Sequence, residues 1–444
     1  MTFVSIPAFS QQWSVVPSPN PSGLRNIIRG IGAISSNDVW AVGEYDEQPS
    51  FSLIQHWNGT SWTTVTSPNP GSNYNSLYDV EGLTSNNVYA VGNFTVPPGN
   101  TQMLILHWNG TVWDQESTPS VAGGSGLESV LMFGPNDVYS AGYKTIGAPG
   151  PLAGTLVTHW NGSSWNIETT PNQSNNRSNF LSDIKGLSSD DVWAVGYSRN
   201  LGENYQGLVM HKTGTTWSLV SVPQPGAENF LYDVDVIASD NIWASGAYNN
   251  GGNYTPYYLH YNGTSWSFVA SPGGGAGIVH SSPNDIWSTG SEFVHYDGNS
   301  WNIMPAVIPA EGNMGSISGI STTDIWAAGN YTDGTATKTL IMHYGTTVGI
   351  DPVTSIPEKF SLSQNYPNPF NPSTIINYNI PQSGNVKLSI YDGFGRLVTT
   401  LVNETQSAGT YNITWNASTF SSGVYYYKLE AGSLFEIKKM LLVK

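Results

Sequence analysis

The chain has 444 residues, no cysteine and a formal charge of −16 with a pI near 4.7. That acidity works against a nucleic-acid partner and against acidic membrane surfaces, and the absence of cysteine excludes disulfides and thiolate metal sites. No stretch approaches the roughly 20 apolar residues of a spanning helix, so no transmembrane segment is expected.

Residues 1–10 are apolar and end in Ala8-Phe9-Ser10 before Gln11-Gln12. This has the form of the last part of a secretory signal with its cleavage site, without the basic start; a short tail is the other reading. From 11 to 348 two phrases recur seven times. One resembles Asp38-Val39-Trp40-Ala41-Val42-Gly43 and is centred on Trp40, Tyr89, Tyr139, Trp193, Trp243, Trp287 and Trp326. The other begins at His56, His107, His159, His211, His260, His295 and His343. Repeats of roughly 40 to 50 residues, each made of short strands, indicate a seven-bladed β-propeller in an all-β chain.

Each repeat reads as an inner strand, a tight Ser/Asn/Asp turn, a second strand carrying the Trp phrase, a third strand ending at the His, and an Asn-Gly turn into a fourth. Asn58-Gly59 predicts positive φ at both turn residues. The last repeat stops near Thr347 without a fourth strand, while Trp13-Ser14-Val15-Val16 before Pro17 matches Trp62-Thr63-Thr64-Val65 before Pro68. The amino-terminal strand is therefore expected to close the seventh blade and remove the free sheet edges.

All fifteen propeller tryptophans occupy repeat positions, which assigns them to packing between blades. The seven repeat histidines fall one per blade, too far apart to share a metal ion; they are expected to bond a turn carboxylate such as Asp38 or Asp191, similar to the network of WD-repeat propellers. His280 alone lies outside that position, on the inner strand of the sixth blade. Longer connections, at 44–51, 93–102, 143–155, 197–207, 247–257 and 67–76, are predicted at one end of the ring. They carry Tyr74, Tyr143, Tyr197, Tyr205, Tyr248, Tyr254 and Tyr257 among many Asn, Gly and Ser. Flat rings with polar tips suit the C–H faces and hydroxyl edges of sugars, so these tyrosines are the candidate ligand-binding residues; plain solvated loops are the alternative.

Counting back from each turn places Asp79, Ser129, Asp183, Asp233 and Ser316 at one depth of the central channel, with Glu81 and Asp235 two residues further along. Asp79, Asp183 and Asp233 are candidate ligands for calcium, which takes six to eight oxygens; inter-strand hydrogen bonds or a water-filled channel are the competing reading. No other cofactor is expected. Catalytic templates fail: there is no Walker loop, His-Glu-x-x-His or Gly-x-Ser-x-Gly. Arg25, Arg29, Arg177 and Arg199 are scattered, and no carboxylate pair stands out for a glycosidase.

Acidic residues far outnumber basic ones up to 348 and nearly balance them afterwards, which marks a boundary and a linker at 349–359. From 360 to 444, alternating strands such as Lys387-Leu388-Ser389-Ile390-Tyr391 between Gly-rich turns read as a small immunoglobulin-like β-sandwich. The run Leu362 to Pro372, containing Tyr366, Pro367, Asn368, Pro369 and Phe370, resembles the opening of the type A carboxyl-terminal sorting domain of the type IX secretion system of Bacteroidota and relatives. Gly395-Arg396, the turn at Gly423, and Lys438-Lys439 near the end fit the same pattern in order. The resemblance implies recognition by the outer-membrane translocon, removal by a sortase, and release or attachment at the cell surface.

Together these readings predict an exported, non-catalytic binding or adhesion protein whose propeller face meets a glycan or a protein. A polysaccharide-active enzyme would instead bring two or three carboxylates, or a His–Tyr pair, together in a pocket at that face, and a surface-coat protein would self-associate.

Overall fold

In the computed structural model the propeller sequence folds as seven four-stranded antiparallel sheets. The structure describes residues 12–345 apart from 48, 98, 147–151, 174–176, 201 and 310, and residues 360–444 apart from 366, 367, 382, 383, 407, 408, 418 and 419. The expected signal segment, the linker, Tyr366 and Pro367 lie outside the described residues. The chain divides into two units, Met1–Thr347 and Val348–Lys444.

The first blade is Asn26–Ser35, Asp38–Asp46, Ser50–Trp57 and Trp62–Thr64, and later blades repeat its order. Gln12–Val15 pairs antiparallel with Thr337–Gly345, placing Trp13 opposite Tyr344. The seventh blade is thus closed by the amino-terminal strand, as the sequence predicts. Trp13 stacks on Phe293 of the sixth blade with ring centroids 3.7 Å apart, so the closing strand also joins two blades.

The repeated phrases describe one packing unit. Each repeat histidine bonds the residue that opens the second strand, Asp38, Asp137, Asp191, Asp285 or Asp324, with Asn87 and Asn241 as substitutes, at 2.7–3.1 Å. The histidine ring stacks on the second-strand aromatic, as His211 does on Trp193 at 3.8 Å. That aromatic then meets the next blade: Trp40 lies 5.2 Å from both Trp108 and Trp113. Such ring pairs contribute about 1 kcal/mol each beyond the area they bury, and the pattern recurs around the ring.

The glycine that ends the first phrase answers to a different demand. Inner strands of six blades carry a β-bulge at the same level, between Ile28 and Gly30 in the first. Opposite it, a Cβ on Gly43 would stand 1.9 Å from the Ile27 carbonyl oxygen. A side chain there would force the two strands apart.

Two expectations are corrected. Trp57 pairs with Trp62, so the Asn-Gly turn spans four residues. Gly59 has φ 89°, but Glu311 is the one non-glycine with positive φ among the described residues. Asn58 acts through its side chain instead, its Oδ1 accepting from the N–H groups of Thr60 and Ser61 at 3.0 Å. The long connections are also shorter than predicted, because strands run on through much of them; pairing continues to Asp46–Ser50, Val96–Asn100 and Ile146–Leu152. Polar residues at these strand ends lack an apolar alternation, yet their backbones hold the ladder.

In the second unit, Leu397–Gln406, Gly384–Asp392, Gly423–Ala431 and Leu434–Leu442 form one sheet, and Ser361–Leu362, Ser373–Ile380 and Gly409–Asn416 another. Both contribute to one core that includes Ile376, Tyr378, Leu388, Trp415, Tyr427 and Met440.

Candidate functional site

A cavity of about 880 Å³ runs along the propeller axis, lined by inner-strand residues of all seven blades. Its side chains stand in three tiers. The bulges set the outermost tier, since the extra residue of each bulge turns inward: Arg29, Tyr78, Glu128, Ser182, Tyr232 and Gly315 are those residues, and all line the channel, the glycine with backbone alone.

The middle tier holds the aligned positions, and here side chains bond the neighbouring blade. Asp79 Oδ2 accepts from Val130 N at 3.0 Å, Asp183 Oδ2 from Val234 N at 2.9 Å, and Asp233 Oδ2 from Ile278 N at 2.8 Å. Ser316 Oγ accepts from Ile31 N at 3.1 Å, and Ser129 Oγ bridges the two carboxyl groups, 3.0 Å from Asp79 Oδ2 and 2.5 Å from Asp183 Oδ1. Burial, then the charge of Asp183, hold the Asp233 carboxyl well above its usual range, and the two share a hydrogen bond. Burial also raises Asp79 against the pull of Lys185.

Lys185 belongs to the innermost tier, 3.3 Å from Glu81. Burial disfavours its charge, but Glu81, Asp183, Asp79 and Asp233 raise its pKa well above the ordinary value. An ammonium group therefore already supplies positive charge to these carboxylates. Among the described residues no group of three or more His, Asp or Glu is arranged to hold a metal ion. His280 lies in the same region, its Nδ1 2.7 Å from Asp235 Oδ2.

The predicted tyrosines divide into three groups. Tyr143, Tyr197, Tyr205 and Tyr254 are joined into one band by phenylalanines that the sequence reading passed over. Tyr143 meets Phe180 at 5.6 Å, Phe180 meets Tyr197 at 5.2 Å, and Phe230 gathers Tyr197, Tyr205 and Tyr254 at 5.1, 4.5 and 5.7 Å. Tyr232, also unforeseen, adds its ring beside Phe230 at 6.1 Å. Tyr232 and Tyr254 are 39% and 52% exposed, so the band has an open surface. Phe180, Tyr197 and Tyr232 bring it to the channel.

Tyr74 stands apart, donating to Glu44 at 2.9 Å in a cluster where Arg25 and Arg29 also hold that carboxylate at 2.9 Å. Burial alone would push Glu44 up, but the hydrogen bond and charge of Arg29 keep it below its usual range. Tyr248 and Tyr257 pack together with Phe268. Four of the predicted loop tyrosines lie in strands instead: Tyr143 in Asp137–Ile146, Tyr197 in Asp191–Asn200, Tyr248 in Asn241–Asn249 and Tyr257 in Thr255–Tyr261, the last fully buried, because these strands run further than their polar ends suggest.

Glu128 faces the same mouth. Burial pushes its carboxyl up to about 7 despite the nearby charge of Arg29. A signal for the whole outer tier was present in the sequence, one residue before each aligned middle-tier position, but strict strand alternation would have pointed those side chains outward.

In the second unit the sorting motif is bound to the end of the chain. Phe370 N donates to Leu441 O and Val443 N to Phe370 O, both at 3.0 Å. Asn368 Oδ1 accepts from Leu441 N at 2.9 Å, and the neighbouring peptide bond to Pro369 is cis. Gln364 Nε2 donates to the Lys439 carbonyl at 2.8 Å. Lys438 pairs with Glu436 at 3.2 Å. Arg396 closes the turn at Gly395 by donating to Asp392 at 2.7 Å, and Gly423 opens the strand that leads into the core.

Residues 364–444 match the family model of the secretion system C-terminal sorting domain. No curated protein matches the chain. Among solved structures it is similar to YCF48 bound to D1 peptide, with 14% identity and TM-score 0.49 over 75% of this chain and 96% of that one. It is also similar to PorZ of Porphyromonas gingivalis, an essential surface component of the type IX secretion system, with 13% identity and TM-score 0.47 over 93% of this chain and 59% of that one. A Dyadobacter fermentans protein of unknown function is similar at 10% identity and TM-score 0.48, over 75% and 98% of the two chains. With its motif residues bound to its last strand, the segment 364–444 is a sorting domain of the type IX secretion system, which directs this propeller protein to the cell surface or the medium.

Proposed function

We propose that the protein is a non-catalytic binding protein of the cell surface or medium, and that its propeller grips an extracellular glycan at the channel mouth. The observation that carries this reading is the aromatic band from Tyr143 through Phe180, Tyr197 and Phe230 to Tyr254, which crosses three blades and opens beside the channel. Rings held rigidly by one another present flat apolar faces at little entropic cost, and their hydroxyls lie at the edges. A glycosidase would require a second free carboxylate across the sugar from Glu128. Asp79, Asp183 and Asp233 accept backbone N–H groups of the next blade instead.

The test is a glycan-array screen of the full protein, with and without calcium, beside a variant carrying Tyr232→Ala and Tyr254→Ala. The reading expects hits that the double substitution removes and that do not depend on calcium, since Lys185 already faces the channel carboxylates. Calcium-dependent hits would assign Asp79, Asp183 and Asp233 to a metal. A blank array would overturn the glycan reading in favour of a protein partner or self-association.

A further inference from the structure

The channel carboxylates differ in one respect. Asp79, Asp183 and Asp233 bind backbone N–H groups, Glu81 binds Lys185, and Asp235 binds His280. Glu128 has no hydrogen bond or ion pair among the described residues. It lines the channel with Tyr78, Phe180, Tyr197 and Tyr232. Arg29, the cation that acts on it through space, is already held by Glu44.

An unpaired carboxylate that shares its cavity with aromatic side chains, Tyr197 close enough to feel its charge, favours one class of ligand. The faces of those rings carry negative potential, which attracts an organic cation. The remaining lining adds to that field, because even with Asp233 holding a proton the carboxylates Asp79, Glu81, Asp183 and Asp235 outnumber Arg29 and Lys185. An acidic sugar would be repelled, and a neutral one would leave the charge of Glu128 uncompensated.

We propose that the mouth receives the ammonium group of an amino sugar with a free amine, with Glu128 as its counter-ion and Phe180, Tyr197 and Tyr232 as the surrounding rings. The proposal rests on the glycan reading above and narrows it to amine-bearing carbohydrate. The raised pKa of Glu128 agrees with it, since a bound ammonium would relieve the unfavourable burial of the charge.

Titration calorimetry of the full protein with the hexamers of glucosamine, N-acetylglucosamine and glucose, near neutral pH and at physiological salt, tests this. The glucosamine hexamer is expected to bind about tenfold more tightly than the other two. Glu128→Gln should abolish that preference. Asp114→Asn, which makes the same change in net charge on the outer strand Trp113–Gln115, should keep it and so separate the site from general attraction of a polycation. Equal affinities in the wild type, or a preference that survives Glu128→Gln, would overturn the proposal while leaving the glycan reading in place. Failure of all three hexamers together with a blank array would overturn both. A melting curve shows that Glu128→Gln is folded in each case.

Discussion

His280 Nδ1 stands 2.7 Å from Asp235 Oδ2, and the two residues belong to the inner strands of adjacent blades. The hydrogen bond with Asp235 raises the imidazole pKa although burial opposes it. A raised folded-state pKa means the stabilisation is fully present below the unfolded value of about 6.5 and is lost as pH rises through the folded one. His280→Gln is therefore expected to lower stability by about 1 kcal/mol on the acid side and by little at alkaline pH. Paired melting curves across that range check it, and parallel wild-type and variant profiles would refute it.

Glu128 has the same sign by a different cause. Its pKa, pushed up to about 7 by burial, makes the folded state bind a proton that the unfolded state releases, so stability falls as pH rises from the ordinary carboxylate range through 7. Glu128→Gln should raise stability by about 3 kcal/mol above that window and leave it unchanged below. Urea unfolding at the two pH limits measures this difference.

Tyr257 is fully buried, and its hydroxyl has no partner among the described residues. Removing the hydroxyl removes an unmet desolvation cost. Tyr257→Phe is expected to stabilise the propeller by about 1 kcal/mol without changing glycan affinity. A lower midpoint of unfolding would mean that the hydroxyl is satisfied.

Trp13 is 5% exposed and contacts Phe293, Trp287 and Tyr344. Trp13→Ala opens a cavity at the seam where the ring closes and should cost about 3–5 kcal/mol. Limited proteolysis should then cut first in the sixth and seventh blades. An unchanged melting temperature would contradict closure by this strand.

The repeat phrases carried most of the fold because one packing unit recurs seven times. A His that stacks on an aromatic and bonds the residue opening the second strand leaves the same trace each time, and so does the glycine opposite the bulge. The closing strand was legible because Trp13 repeats Trp62. The sorting segment was legible as well, since its turns and final lysines are local in sequence.

The channel mouth was only partly legible. Asp79, Asp183 and Asp233 could be aligned by counting, but whether their oxygens meet a cation or the next blade depends on the distance between strands, which the sequence does not contain. Tyr232 and Glu128 face the channel because a bulge reverses the alternation that a regular strand imposes. Phe180 and Phe230 join tyrosines of separate blades because neighbouring blades converge on one axis. Sequence determined the architecture and the export address through periodic and local signals; tertiary structure alone decided which side chains meet at the mouth, because their meeting depends on the small backbone shifts and close approach of strands far apart in the chain.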